Sequence, residues 1–159
     1  MKKKMIAVMA AAAMMVTACG SSGGTQTAET STLNKVLESG KLRVAILPDN
    51  PGWSTLGTDN DYHGIDADIA RLLAESLGVE LEFQNTDGAG RVPMIQSDKA
   101  DVVIACLTAT NERAKSVAFT DPYASGGIIG LCKSDHVLQS WDDLEGKKIS
   151  VARGSINDT

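Results

Sequence analysis

Between residues 41 and 123 short apolar runs alternate with amphipathic segments across short links, and this alternation leaves few folds open. It reads strand–helix–strand–helix–strand. Parallel strands need a long crossover, and a helix supplies one, so the pattern predicts an α/β fold with a mostly parallel sheet and helices on both faces. The first strand spans residues 41–47, with Leu42, Val44 and Ile46 alternating and Ala45 and Leu47 also apolar. A short helix before it carries Leu33, Val36 and Leu37 on one face and stops at Gly40. In a second helix, Asp66 is the cap, Ile69, Leu72, Leu73 and Leu77 share a face, and Gly78 is the stop. Residues 79–83 alternate as a strand with one covered face.

The stretch from 100 to 123 carries the chemistry. Val102, Val103, Ile104 and Ala105 suit a strand covered on both faces. The run stops at Cys106-Leu107-Thr108, where the backbone leaves the sheet. Thr110 is placed to cap a short helix that holds Arg113 one turn in, and a second strand is expected after it. A hydroxyl, backbone N–H groups and a guanidinium then converge. Arg offers a planar fork that bonds both oxygens of a carboxylate, so the spot suits a small carboxylate ligand. A solvated Arg113 on an ordinary helix is the alternative these residues leave open.

Ala105-Cys106-Leu107-Thr108, then Arg113, then Phe119-Thr120-Asp121-Pro122-Tyr123 resembles a pattern of the family-three bacterial extracellular solute-binding proteins. Those proteins serve amino-acid ABC importers. Gly64-Ile65-Asp66-Ala67-Asp68-Ile69-Ala70 resembles the same family's Gly-Phe-Asp-Val-Asp-Leu-Ala signature. The resemblance implies a periplasmic-binding-protein-like, type II, two-lobed α/β fold. Lobe 1 would span 32–125. A hinge crossing with Gly126 and Gly127, followed by a partial lobe 2, would span 126–159, with strands over 128–132 and 149–152. Family members run on well past this point, so the chain is expected to be a fragment or a truncated product.

The resemblance also implies roles. Arg113 would clamp the ligand carboxylate, helped by the backbone N–H groups of Thr108 and Ile156. The Thr108 hydroxyl and Cys106 carbonyl would accept from the ammonium. Gly154-Ser155-Ile156-Asn157 resembles the Gly-Thr-Thr turn at a helix start, which places Ser155 and Ile156 at the ligand. Gly90-Arg91-Val92-Pro93 resembles an Asn-Arg-Ile-Pro segment, with Gly90 in place of the Asn. Arg91 is thus a candidate reader of a side-chain carboxylate, which points to an aspartate- or glutamate-like ligand. Its alternative is a surface Arg neutralised by Asp87 or Asp98. Trp53, in a Pro/Gly-rich loop, is the best aromatic to cover a ligand, or else a core residue pinning the loop. The family's stacking aromatic falls three positions earlier, at Asn50.

Lys2, Lys3 and Lys4 precede an apolar stretch too short to span a bilayer comfortably, so residues 1–18 read as a signal peptide. Val16-Thr17-Ala18-Cys19 resembles a lipobox, making Cys19 the lipidation site, with 19–31 a flexible tether. The expected location is the outer face of the cell membrane, held by lipid alone. Without the three leader lysines the net charge falls from −5 to −8, which argues against nucleic acid as a partner. Cys106 and Cys132 are expected as two buried free thiols, and no CxxC pair or His-Cys cluster suggests zinc. Ser140-Trp141-Asp142-Asp143 reads as a capping box.

The function expected is an amino-acid-binding lipoprotein feeding an ABC transporter permease, monomeric, with no cofactor and no catalysis. Rival expectations are a cyclohexadienyl-dehydratase-like enzyme or a ligand-sensing ectodomain on the same fold. The enzyme would need a general acid. Glu112 should point away from Arg113, and His63 and His136 lack partner motifs.

Overall fold

A computed structural model describes residues 31–158. Helix α1, Thr32–Ser39, is capped by the Ser31 hydroxyl and ends at Gly40 with φ of 67°. Strand β1, Lys41–Ile46, is the centre of a parallel three-stranded sheet. Strand β5, Glu80–Asn85, lies on one side of it, and β6, Val102–Val103, lies on the other. The register runs from Lys41 opposite Glu80 to Ile46 opposite Asn85, and Val44 and Ala45 face Val102 and Val103. Helix α2, Ile65–Leu77, crosses from the small sheet to β5, and α3, Arg91–Gln96, leads to β6. The parallel sheet and both crossover helices therefore follow the sequence pattern.

The packing of α2 differs from the expected leucine face. Ala67, Ala70 and Ala74 are its buried apolar residues, at spacings that put them on one stripe. Small side chains let the helix lie close to the sheet, which leaves Leu72 63% exposed and Ile69, Leu73 and Leu77 at the margin. Around that stripe lie Val36, Leu42, Val44 and Ile104. A second cluster holds Ile46, Tyr62 and Ala67, with the Tyr62 and Phe83 rings 4.8 Å apart. On α1 only Val36 is buried, and Leu33 and Leu37 are half exposed.

Several local expectations need correction. The loop and turn between β1 and α2 contain a small antiparallel sheet: β2 Asp49–Asn50, β3 Ser54–Leu56 and β4 Tyr62–His63. Gly64, not Asp66, is the N-cap of α2, and Asp66 is buried in the first turn. Gly64 has φ of 122°, and an added Cβ would lie 2.5 Å from the Trp53 carbonyl oxygen, so only glycine lets the chain enter α2 so close to that loop.

Just after Thr110 there is a 3-10 turn, Arg113–Lys115, and no strand follows it among the described residues. Residues 128–132 and 149–152 are also not strands. A strand needs a pairing edge, and none of the described residues offers one there, so Ile129 and Leu131 stand 86% and 98% exposed. Cys132 is exposed rather than buried, and Cys106 is half-buried; both are free thiols. The capping box at Ser140 does form. The Asp143 carboxylate reaches back to the Ser140 N–H at 2.9 Å and opens the 3-10 turn Trp141–Leu144. Cys19, the signal peptide and all but the last residue of the tether lie outside the described residues.

Candidate functional site

The site forms where β6 ends. Ile104 and Ala105 are buried, and Cys106 then turns with φ of 47°, a left-handed conformation that costs a non-glycine residue about 1–2 kcal/mol. The turn aims the Ala105 and Cys106 carbonyls at Arg91, whose Nη1 donates to both at 3.1 Å. Beyond it, the Thr110 hydroxyl accepts from the Arg113 N–H at 3.2 Å, and that contact starts the 3-10 turn. The Arg113 guanidinium folds back over the same loop. Its Nη1 donates to the Thr108 carbonyl at 2.8 Å, and its Nη2 to the Gly154 carbonyl at 2.8 Å. Arg113 is therefore half-buried beside Thr108 and not a solvated helix residue.

Arg91 meets Arg113 at the same atom. It is only 6% exposed, its Nε donates to the Gly88 carbonyl at 2.9 Å, and its Nη2 reaches the Gly154 carbonyl at 3.0 Å. A surface position is thereby excluded; Asp98 pairs with Arg43 instead, while the Asp87 charge acts on Arg91 from nearby. Burial, and then the nearby Arg113 charge, push the Arg91 guanidinium below its ordinary value. Two cations thus share one carbonyl, and among the described residues neither forms an ion pair with a carboxylate.

Of the remaining candidates, Asn50 is half-buried near the Cys106 thiol. Burial and then Asp66 push that thiol up, while Asn50 and Arg91 pull the other way. Trp53 is half-buried, and its backbone ties the small sheet to α2, with the Asp66 N–H donating to the Trp53 carbonyl at 2.8 Å. Ser155 and Ile156 are half-buried at the 3-10 turn Ile156–Asp158, and the Ser155 hydroxyl accepts from the Asn157 N–H at 3.2 Å.

Asp66, read from the sequence as a helix cap and scaffold, and Tyr123 form a buried pair near Cys106. Asp66 has no exposed surface. Its Oδ1 accepts from the Tyr123 hydroxyl at 2.7 Å, and its Oδ2 has no hydrogen-bond partner among the described residues. Burial raises the carboxyl above its ordinary value; the Tyr123 hydroxyl and the nearby Cys106 N–H oppose that rise. The available signal was the Ala67, Ala70, Ala74 stripe, which marks the closely packed face that Asp66 borders.

A family model for bacterial extracellular solute-binding proteins, family 3, matches residues 42–148. The chain belongs to this family. The L-cystine-binding protein TcyJ of Escherichia coli K12 is 37% identical over 77% of this chain and 47% of its own length. The arginine-binding extracellular protein ArtP of Bacillus subtilis 168 is 32% identical over 99% of this chain and 58% of its own. The chain thus spans about half the length of the curated relatives it matches. Among solved structures, the ancestral amino acid-binding protein AncCDT-1, a precursor of cyclohexadienyl dehydratase, is 40% identical with a TM-score of 0.58. That match covers 59% of this chain and 42% of the other. This family-3 chain has the type II periplasmic-binding-protein fold, of which the described residues form a part.

Proposed function

We propose that this family-3 protein captures a free amino acid outside the cytoplasm and delivers it to an ABC importer, with no chemical step. One observation carries the reading. The Arg113 fork is fixed over the Thr108 turn with carbonyls, and no carboxylate, as its partners among the described residues. A ligand carboxylate is a stronger acceptor than either carbonyl. In this reading Arg113 takes the ligand carboxylate with the Thr108 and Ile156 backbone, while the Thr108 hydroxyl and Cys106 carbonyl face its ammonium. Residues 32–125 form lobe 1, and residues 126–159 cross to a second lobe. Closure about that crossing excludes water and strengthens each bond. Lipidation of Cys19 holds the protein at the membrane, and Cys19→Ala should release it to the soluble fraction.

The side-chain preference of this family-3 protein is a separate matter. An aspartate- or glutamate-like ligand needs donors from Arg91, and Arg91 already gives its Nε, Nη1 and Nη2 to four carbonyls. The unpartnered Asp66 Oδ2 favours a second reading, a ligand whose side chain donates hydrogen bonds or carries a positive charge. ArtP binds arginine, and AncCDT-1 is described as a cationic amino acid solute binding protein.

The dehydratase-like alternative lacks its general acid among the residues considered for it. Glu112 pairs with Lys115, His63 with Asp59 and His136 with Asp135, all at exposed positions. Turnover of a prephenate-like substrate would favour that alternative. The test of binding is calorimetry of the complete protein with the twenty amino acids and L-cystine. Arg113→Ala should cost about 2–5 kcal/mol by leaving a desolvated carboxylate unpaired. Micromolar binding that survives the change would defeat the assignment.

A further inference from the structure

We propose that the Gly154 carbonyl is the protein's own occupant of the anion seat, and that a ligand carboxylate binds by displacing it. The inference rests on the amino-acid reading above. Two guanidiniums converge on this one oxygen, Arg113 Nη2 at 2.8 Å and Arg91 Nη2 at 3.0 Å. A neutral carbonyl is a poor partner for two cations, and a carboxylate is a better one with the same hydrogen-bond geometry.

The peptide is held there by shape rather than by charge. Gly154 has φ of 73°, and an added Cβ would lie 2.8 Å from the Ala89 N and Cα atoms. On the facing loop, an added Cβ at Gly88 would lie 2.6 Å from the Arg153 carbonyl oxygen. Two glycine backbones therefore touch where side chains would keep them apart. From behind, the Asp158 Oδ2 accepts from the Gly154 N–H at 3.0 Å, which fixes the direction of the loop. The consequence is a self-plugged site. With the seat filled, the two cations are satisfied without ligand, and the plugged state lowers apparent affinity by the fraction of time it is open.

The test has two arms, both on the complete protein. In the first, glycine carbonyls are labelled with 13C, and the Gly154 resonance is followed as L-arginine, L-glutamine or L-cystine is added singly. Displacement strips two charged donors from that oxygen, so its resonance should move as the seat fills. In the second, Gly88→Ala pushes the Arg153–Gly154 segment off the seat: the added Cβ would lie 2.6 Å from the Arg153 carbonyl oxygen but meets Arg91 Nη2 only at ordinary contact distance, 3.9 Å. If the seat is plugged about 90% of the time, Gly88→Ala should lower the apparent Kd about tenfold. A stationary Gly154 carbonyl in a protein that binds one of the three, or a Kd that is unchanged or higher in Gly88→Ala, overturns the displacement and leaves amino-acid binding standing. No binding of any of the twenty amino acids or L-cystine by the unmodified protein overturns both. The carbonyl measurement stands by itself if Gly88→Ala fails to fold.

Discussion

Arg91→Met separates a structural role for this arginine from ligand reading. The side chain donates to four carbonyls and is nearly without exposed surface. Methionine keeps much of its length and removes every donor. Ala105 has no exposed surface and Cys106 is half-buried, so two carbonyls lose their partner where water reaches them poorly. At about 1–3 kcal/mol for each buried acceptor left unmade, these two set a loss of about 2–6 kcal/mol. The Gly88 and Gly154 carbonyls add little, because water can replace the guanidinium there. Relief of the burial that disfavours the charge offsets part of the loss. The expected net is about 2–4 kcal/mol, a Tm decrease of roughly 5–15 °C for a protein of this size. Thermal unfolding of the complete protein with and without amino acid reads it out. As a structural residue, Arg91 should lower the ligand-free Tm on its removal. A variant whose ligand-free Tm stays within about 2 °C of the parent, while stabilisation by ligand vanishes, would refute this reasoning and leave ligand contact as the only role of Arg91.

Asp101 should matter almost as much. Its side chain is 4% exposed and takes the Arg43 N–H at 2.8 Å and Nη2 at 2.7 Å; against burial, those bonds hold its pKa below the ordinary value. Its contribution is therefore present above the unfolded pKa, about 3.9, and lost as pH falls through the folded value, so Asp101→Asn should cost about 1–3 kcal/mol at neutral pH and flatten the acid limb of a stability–pH curve. Asp66 has the opposite sign. Its raised carboxyl favours folding most at acid pH and loses that advantage as pH rises through the folded pKa. Asp66→Asn should hold or raise ligand-free stability at pH 7–8 while weakening L-arginine binding about tenfold or more, by calorimetry; unchanged affinity would remove Asp66 from the ligand's surroundings. Gly78 and Gly64 make a matched pair. Gly78 has φ of 66° and open space, so Gly78→Ala should cost about 1 kcal/mol by denaturant melts, whereas Gly64→Ala, facing the Trp53 carbonyl at 2.5 Å, should cost clearly more.

The parallel sheet was legible because its signal is periodic and local: Leu42, Val44 and Ile46 alternate, and the links are too short for other topologies. Thr110 and Arg113 were legible because a cap and a fork act within a few residues of each other. The tiny sheet over Asp49–His63 was not, since strands of two or three residues carry no period to read. Nor were residues 128–132 and 149–152 decided by their composition. Apolar runs propose strands, but a pairing edge makes them, and the edge is a property of the rest of the fold. Arg91 shows the same limit at the site. Its sequence surroundings, glycines and a proline, say that backbone comes close. They do not say which carbonyls arrive, because Gly154 lies 63 residues away.

On the proposed reading, the charge layout lets a chain of net negative charge hold an anion. Net charge acts at long range through screened solvent, whereas the seat is made by two guanidiniums a hydrogen bond from one oxygen. Those guanidiniums are already oriented by carbonyls, so a carboxylate entering the seat meets donors whose geometry need not be rebuilt. Near Cys106 there is also the Asp66 carboxylate, with one oxygen unpartnered among the described residues. A zwitterion with a donor on its side chain matches that order of charges, and a simple anion matches only half of it. Acetate should therefore compete weakly with L-arginine, and the gap between their affinities should shrink in Asp66→Asn. An unchanged gap in that variant would show that the acid on α2 plays no part in choosing the ligand.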